Sequence, residues 1–184
     1  MATVTINNSP VHSPLIITYP FGIEDSSYSQ GYHTGLDFAP YGNTPRNPII
    51  YPSFKGKVVK VITSTNTALG CQVQIQDIYG RFWRYCHLEK DSIMVKPEDF
   101  LNVNTPIAKM GTTGNSTGIH LHLELTSTIS WSEFLNPASA LNIPNIDNTI
   151  ILYDGNYEPI KSIKRKPFKW VLYARKLRER TMNK

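Results

Sequence analysis

Apolar and polar residues alternate strictly from Ile119 to Leu125. Ile119, Leu121, Leu123 and Leu125 are apolar, and His120, His122 and Glu124 lie between them. Period-two alternation predicts a strand with one buried face. The same pattern predicts a half-buried strand at Gln72 to Gln76. It returns at Arg81 to Leu88 across a turn at Asp77 to Gly80, which makes a hairpin. Further strands are predicted at Leu15 to Tyr19, Gly56 to Ile62, Ile107 to Met110 and Ile150 to Tyr153. Residues 1–14 read as irregular. Asn43 to Ser53 holds three prolines and reads as loop. Pro97 to Leu101 suits one turn of helix, and Trp131 to Asn142 one short helix. Many short strands at close spacing, with no ordinary amphipathic helix before Leu125, predict a mainly β, antiparallel domain. Pro167 to Arg180 differs: Trp170, Tyr173, Ala174 and Leu177 follow i, i+3, i+4, i+7, and Pro167 suits a first helical position. This reads as a short basic amphipathic helix. The chain therefore divides into a β domain over 1–142 and a C-terminal extension over 143–184.

Composition sharpens this division. The 184 residues suit one domain with a modest extension. Net charge is +5, unevenly spread: residues 161–184 hold ten Lys/Arg and one acid, Glu179, so the first 160 residues carry −4. A mildly acidic body bears a strongly basic tail. The start, Met1 to Pro10, lacks the basic and apolar regions of a signal peptide, and no apolar run is long enough to span a bilayer. The expectation is synthesis in a cytoplasm, with action elsewhere only after release. Two cysteines build no disulfide framework. If the hairpin pairs as read, Cys71 falls opposite Cys86 and a cross-strand bridge is geometrically conceivable; two buried free thiols are the competing reading.

Candidate chemistry gathers at three places. On the predicted strand His120 and His122 point the same way, about 7 Å apart along the backbone. With Glu124 they set two imidazoles and a carboxylate on one open face, and imidazole is a preferred zinc ligand. His33 and Asp37 converge on one ion if the chain bends at Gly35; otherwise they are solvated residues of a turn and strand. In the hairpin, Tyr85 and His87 share one face and Cys86 and Leu88 the other. His12 has no nearby partner and reads as a surface histidine.

Four signals stand in order: H-x-x-x-D at 33–37, Y-x-H-L at 85–88, G-x-T-G-x-x-T-G at 111–118 and H-L-H-x-E at 120–124. Together they resemble the LytM/lysostaphin-type zinc endopeptidases, peptidase family M23, which cut the peptide cross-links of bacterial cell walls. The resemblance runs from about Ile17 to Leu125 and includes Pro20-Phe21-Gly22. It implies the LytM/lysostaphin antiparallel β fold and one Zn2+ held by His33, Asp37 and His122, with His87 and His120 as catalytic histidines. Three protein ligands leave a fourth position for water, the mark of a catalytic zinc site. Which histidine is the general base stays open. Glu124 either orients a histidine or is solvated. Tyr85 either lines the groove or packs. Asn115, Ser116 and Thr117 either contact substrate or belong to a structural turn. The sequence departs from the family pattern at Glu24, at the Pro-rich loop from Asn43 to Pro48, and at Asn102-Val103-Asn104.

The resemblance implies hydrolysis of peptide bonds in peptidoglycan, leading to lysis. Its rivals are a non-catalytic wall-binding or hydrolase-activating relative, or a structural virion component. A wall-cutting site without an export signal suggests a phage or prophage lysin, free or virion-associated, acting as a monomer. The basic segment 161–184 suits an anionic wall polymer or membrane surface; no nucleic-acid partner is expected.

Overall fold

The alternation around His122 forms the strand at the middle of the sheet. In the computed structural model, which describes residues 1–155, β10 spans Leu121–Thr126. Leu121, Leu123 and Leu125 are buried in the core. The other elements are β1 (Thr3–Ile6), β2 (Leu15–Tyr19), β3 (Gly35–Pro40), β4 (Ile49–Ile50), β5 (Gly56–Ile62), β6 (Cys71–Asp77), β7 (Phe82–Leu88), β8 (Phe100–Leu101), β9 (Ala108–Lys109), β11 (Phe134–Leu135), α1 (Pro137–Leu141) and β12 (Ile150–Tyr153). Ten strands make one sheet in the order β1-β12-β2-β3-β10-β7-β6-β5-β8, with β11 paired to β10. β4 and β9 form a separate pair. All pairings are antiparallel except β1 with β12.

The mainly β architecture agrees with the alternation pattern, and most strands fall where it puts them. Several details differ. Thr3–Ile6, read as irregular, is a strand because it finds a parallel partner in β12, which local sequence does not reveal. Pro97 and Glu98 form a turn, and β8 follows instead of a helical turn. The helix expected over Trp131 to Asn142 shrinks to α1. It starts at Pro137 with the Asn136 side chain accepting from Ala138 N–H, and ends at Asn142 in the left-handed conformation. β6 is buried along its whole length, not half-buried: Gln72, Gln74 and Gln76 are covered too. The domain also runs past Asn142. Ile143 and Ile151 lie in the core, and β12 sits between β1 and β2, so 143–153 closes the sheet instead of extending from it. The basic segment 161–184 and the helix expected at Pro167 to Arg180 lie outside the described residues.

The hairpin register is the most consequential correction. Val73 faces Tyr85, but Cys71 faces Leu88, so the ladder shifts between them. Cys71 and Cys86 are therefore not opposite, and both are buried free thiols. The extra residue on β7 is His87, whose φ of 56° lies in the left-handed region. Such a bulge breaks the alternation of faces. Tyr85 pairs with Leu123 and enters the core at 1% exposure, while Cys86 pairs with His122 on the opposite face. Tyr85 thus does not line a groove; its hydroxyl accepts a hydrogen bond from the buried Ser53 N–H at 2.9 Å.

Replacing Tyr85 with Phe leaves that N–H without its acceptor. The variant is expected to lose about 1–3 kcal/mol in denaturant unfolding, with zinc affinity unchanged. A drop in zinc affinity would return Tyr85 to the site.

Candidate metal centre

Two strand registers build the centre. On one side of β10, His122 is directly opposite Asp37 of β3, so both side chains share a face. Two residues on, Glu124 lies opposite Gly35 of β3 and Arg84 of β7. Gly35 does not bend the chain, as expected of it; it is a strand residue whose missing side chain makes room. A Cβ there would meet His122 Cε1 at 2.6 Å and Nε2 at 2.7 Å. His33 comes from the segment before β3, which loops out between Gly22 and His33. Gly22 N–H donates to His33 O at 2.9 Å and His33 N–H to Ile23 O at 2.8 Å. The Asn145 side chain clamps this loop through both backbone groups of Phe21, at 2.9 and 2.8 Å.

His33, Asp37 and His122 meet. His33 Nε2 lies 3.2 Å from Asp37 Oδ1 and 3.0 Å from His122 Nδ1, and His122 Nδ1 lies 2.8 Å from Asp37 Oδ1. Zinc–ligand bonds of about 2.0–2.1 Å in tetrahedral geometry put ligand atoms roughly 3.3 Å apart. The triangle is therefore close to the size of one face of such a site. The far side of each imidazole is also committed. His33 Nδ1–H donates to Pro20 O at 2.8 Å, which leaves Nε2 as a lone pair facing Asp37. His122 Nε2 makes no hydrogen bond but lies within ion-pair reach of Glu124 Oε1, at 3.2 Å. Glu124 in turn accepts from Thr34 Oγ1 at 2.6 Å and pairs with Arg84. Committed outer nitrogens of this kind are what orients metal-binding histidines. These residues fit a divalent cation that takes two imidazoles and a carboxylate.

Charge follows the same arrangement. Burial works against the Asp37 carboxylate, but the hydrogen bond from His122 leads the influences that outweigh it and hold the carboxyl well below the usual range. Burial likewise opposes a charge on His122, yet Asp37 and Glu124 raise it to about 9. Its Nδ1 proton then lies among the three ligand atoms, at the place a cation would claim. Glu124 is lowered against its burial by His122 and Arg84. Cys86, on the same face, is pushed up by burial and stays a thiol; it is not among the three converging ligands.

His87 and His120 stand beside this triangle. The His87 ring centroid is 4.7 Å from that of His120 and 5.8 Å from that of His122. His120 sits just before β10, bridged to Gly111, with Nε2 3.7 Å from Asp37 Oδ2. Each turns Nδ1–H to a backbone carbonyl: His87 to Thr113 O at 2.7 Å, His120 to Gly118 O at 2.9 Å. Each therefore keeps Nε2 as a lone pair. Burial lowers His87 to about 4, against the Thr113 hydrogen bond that raises it, so His87 is neutral at neutral pH.

A cleft of about 520 Å³ opens over His87, His122 and Glu124, between Tyr28 and Gln30 on one wall and Asn115, Trp131 and Phe134 on others. Asn115 lines it; Thr117 is exposed on the turn, and Ser116 accepts or donates within that turn at Thr112 Oγ1 and caps Gly118 O. The turn is structural as well. Thr113 Oγ1 donates to Leu88 O and accepts from Cys71 N–H, and Asn115 N–H donates to Ala68 O. Sequence reading missed Thr34, Arg84, Thr113, Asn145 and Trp131. Only Thr113 carried a signal, its place in the Gly/Thr turn. His12, read as a surface residue, is stacked between Tyr51 and Tyr153 at 3.8 and 4.0 Å, away from the centre.

A sheet with this His-Asp-His triangle and two further histidines has the form of a metallopeptidase domain. Residues 31–134, more than half the chain, match peptidase family M23, and the chain belongs to that family. Over 93 residues it is 34% identical to the peptidoglycan DD-endopeptidase ShyB of Vibrio cholerae, a match covering 50% of this chain and 20% of ShyB. The chain thus spans about a fifth of that relative. Among solved structures it is similar to the catalytic domain of lysostaphin from Staphylococcus simulans, at 27% identity and a TM-score of 0.57, covering 68% of this chain and 91% of that one. It is also similar to a zinc-containing peptidase from Vibrio cholerae, at 29% identity and a TM-score of 0.56, covering 71% and 38% of the two chains.

Two outcomes follow. Because the His122 proton occupies the cation's place and His122 is raised, its proton is bound throughout the neutral range. Zinc affinity is expected to fall as pH drops below about 9, roughly tenfold per unit. Chelator-competition titrations at several pH values measure this, and a flat profile from about pH 6 to 8 would contradict it. Gly35→Ala is expected to weaken zinc binding about 10- to 100-fold by displacing the His122 ring, with the fold retained by circular dichroism.

Proposed function

We propose that this protein is a zinc-dependent endopeptidase that hydrolyses peptide bonds in the stem peptides or cross-bridges of peptidoglycan, opening the cell wall. The convergence of His33, Asp37 and His122 beside two histidines with free Nε2 atoms carries this reading. Similarity to the DD-endopeptidase ShyB and to the lysostaphin catalytic domain supports the substrate class. His33 Nε2, Asp37 Oδ1 and His122 Nδ1 would hold the ion. When bound, Zn2+ supplies Lewis acidity that activates water and polarises a carbonyl.

The chain's own groups do the rest. His120 takes the proton of the attacking water at Nε2, because His87, lowered to about 4, is too weak a base for that task near neutral pH. The Gly118 carbonyl, accepting from His120 Nδ1–H, steadies the imidazolium that forms. His87, fixed by Thr113, lines the cleft beside His122 and bounds the site on that flank. The proton held on His120 then passes to the leaving amine. The cleft walls at Tyr28, Asn115 and Trp131 bind the extended peptide and exclude bulk water.

Purified cell walls test this directly. The protein is expected to release new amino termini, lose that activity on chelation and recover it with Zn2+. His120→Ala should cost at least about 100-fold in rate while retaining one zinc per chain. His122→Ala should lose both. Full activity in a thoroughly chelated sample would overturn the reading.

A further inference from the structure

Resting on that metal-centre reading, we propose that Arg84 is a positioning residue for the metal site: it locks Glu124 so that His122 presents Nδ1, and Trp131 shields the lock from water. Glu124 is 1% exposed, and its two oxygens divide their work. Oε2 takes both Arg84 Nε and Arg84 Nη2. Oε1 takes Thr34 Oγ1 at 2.6 Å and lies 3.2 Å from His122 Nε2. With Oε2 engaged by a planar, two-donor fork, the carboxylate cannot swing, and Oε1 stays aimed at His122. A histidine has two nitrogens and could flip; the charge beside Nε2 selects the ring orientation that leaves Nδ1 toward Asp37.

Charge requires the same partner. With a divalent cation bound by His122, that histidine is neutral and no longer compensates Glu124. A buried carboxylate without a counter-charge is costly, and Arg84 supplies one from the adjoining strand. Lysine would not substitute, because an ammonium makes no planar fork and stacks poorly on an indole. Arg84 Cζ lies 4.1 Å from the Trp131 ring centroid. Trp131 holds φ at 55°, a strained conformation for a large side chain. The indole closes the cleft side of the pair, where low dielectric strengthens it. The chain Trp131–Arg84–Glu124–His122 thus links a wall of the cleft to a metal ligand.

The test is zinc affinity by chelator competition, together with the visible spectrum of the Co2+-loaded protein, on the full chain. Arg84→Met and Glu124→Ala are each expected to weaken zinc binding about 10- to 100-fold and to alter the Co2+ spectrum, with Arg84→Lys recovering only part. Trp131→Ala should weaken zinc severalfold in the parent protein but add nothing in the Arg84→Met background, since the two act through one path. If Arg84→Met fails to fold, the Glu124→Gln and Trp131→Ala pair reads the same coupling. Unchanged affinity and spectrum in these variants, while the parent binds one zinc, would overturn this inference alone. A parent protein that binds no zinc would overturn the metal-centre reading beneath it.

Discussion

The pairing of β3 with β10 in the register that sets Asp37 against His122 is the constraint on which the site depends. Cross-strand partners in a sheet have side chains on one face within contact distance. One register step would turn His122 into the core and Leu123 toward Asp37. The register is secured by what lies beneath it: Leu36, Phe38, Leu121 and Leu123 are fully buried. Slippage would expose these side chains to water, at a cost of roughly 1.5–3 kcal/mol each. The apolar face of β10 therefore holds its polar face in place. The same strand uses its two sides for different tasks, with no extra structure needed to aim the ligands.

Around this register the protein tolerates local departures from regular geometry, and two of them lie at the site. His87 is carried on a bulge at positive φ, and Trp131 also has positive φ. Each costs of order 1–3 kcal/mol, which the buried sheet can offset. The bulge brings a histidine to the site just beyond Cys86, the residue that the strand's regular phase sets opposite His122. The His87 ring is then fixed by the Thr113 carbonyl, and Thr113 itself is tied to Leu88 and Cys71. The Gly/Thr turn thus serves the site mainly as a scaffold, through backbone groups that no residue-type argument names.

Electrostatics ties the pieces together. Two buried carboxylates, Asp37 and Glu124, flank one imidazole, and such a cluster needs positive charge. Arg84 supplies one part; a proton or a divalent cation at His122 supplies the other. Strand register sets the central partners of this polar face, His122 against Asp37 and Glu124 against Arg84.

The sequence by itself determined the β class and the positions of the main strands, which follow from residue type and short-range spacing and survive without knowledge of neighbours. The five candidate residues of the centre came from the family resemblance that its motifs carry. Only the tertiary structure decided that Tyr85 belongs to the core, that Cys71 and Cys86 are not opposed, that Thr3–Ile6 is a strand, and that residues 143–153 complete the sheet. It also revealed Thr34, Arg84, Asn145 and Trp131 as supports of the centre. The reason is physical. Alternation predicts which face a side chain takes only while the strand stays in phase, and one bulged residue reverses every assignment on one side of it. Partners brought together across many tens of residues leave no local periodicity, so a strand such as β1 or a support such as Asn145 becomes visible only when its neighbour is in place.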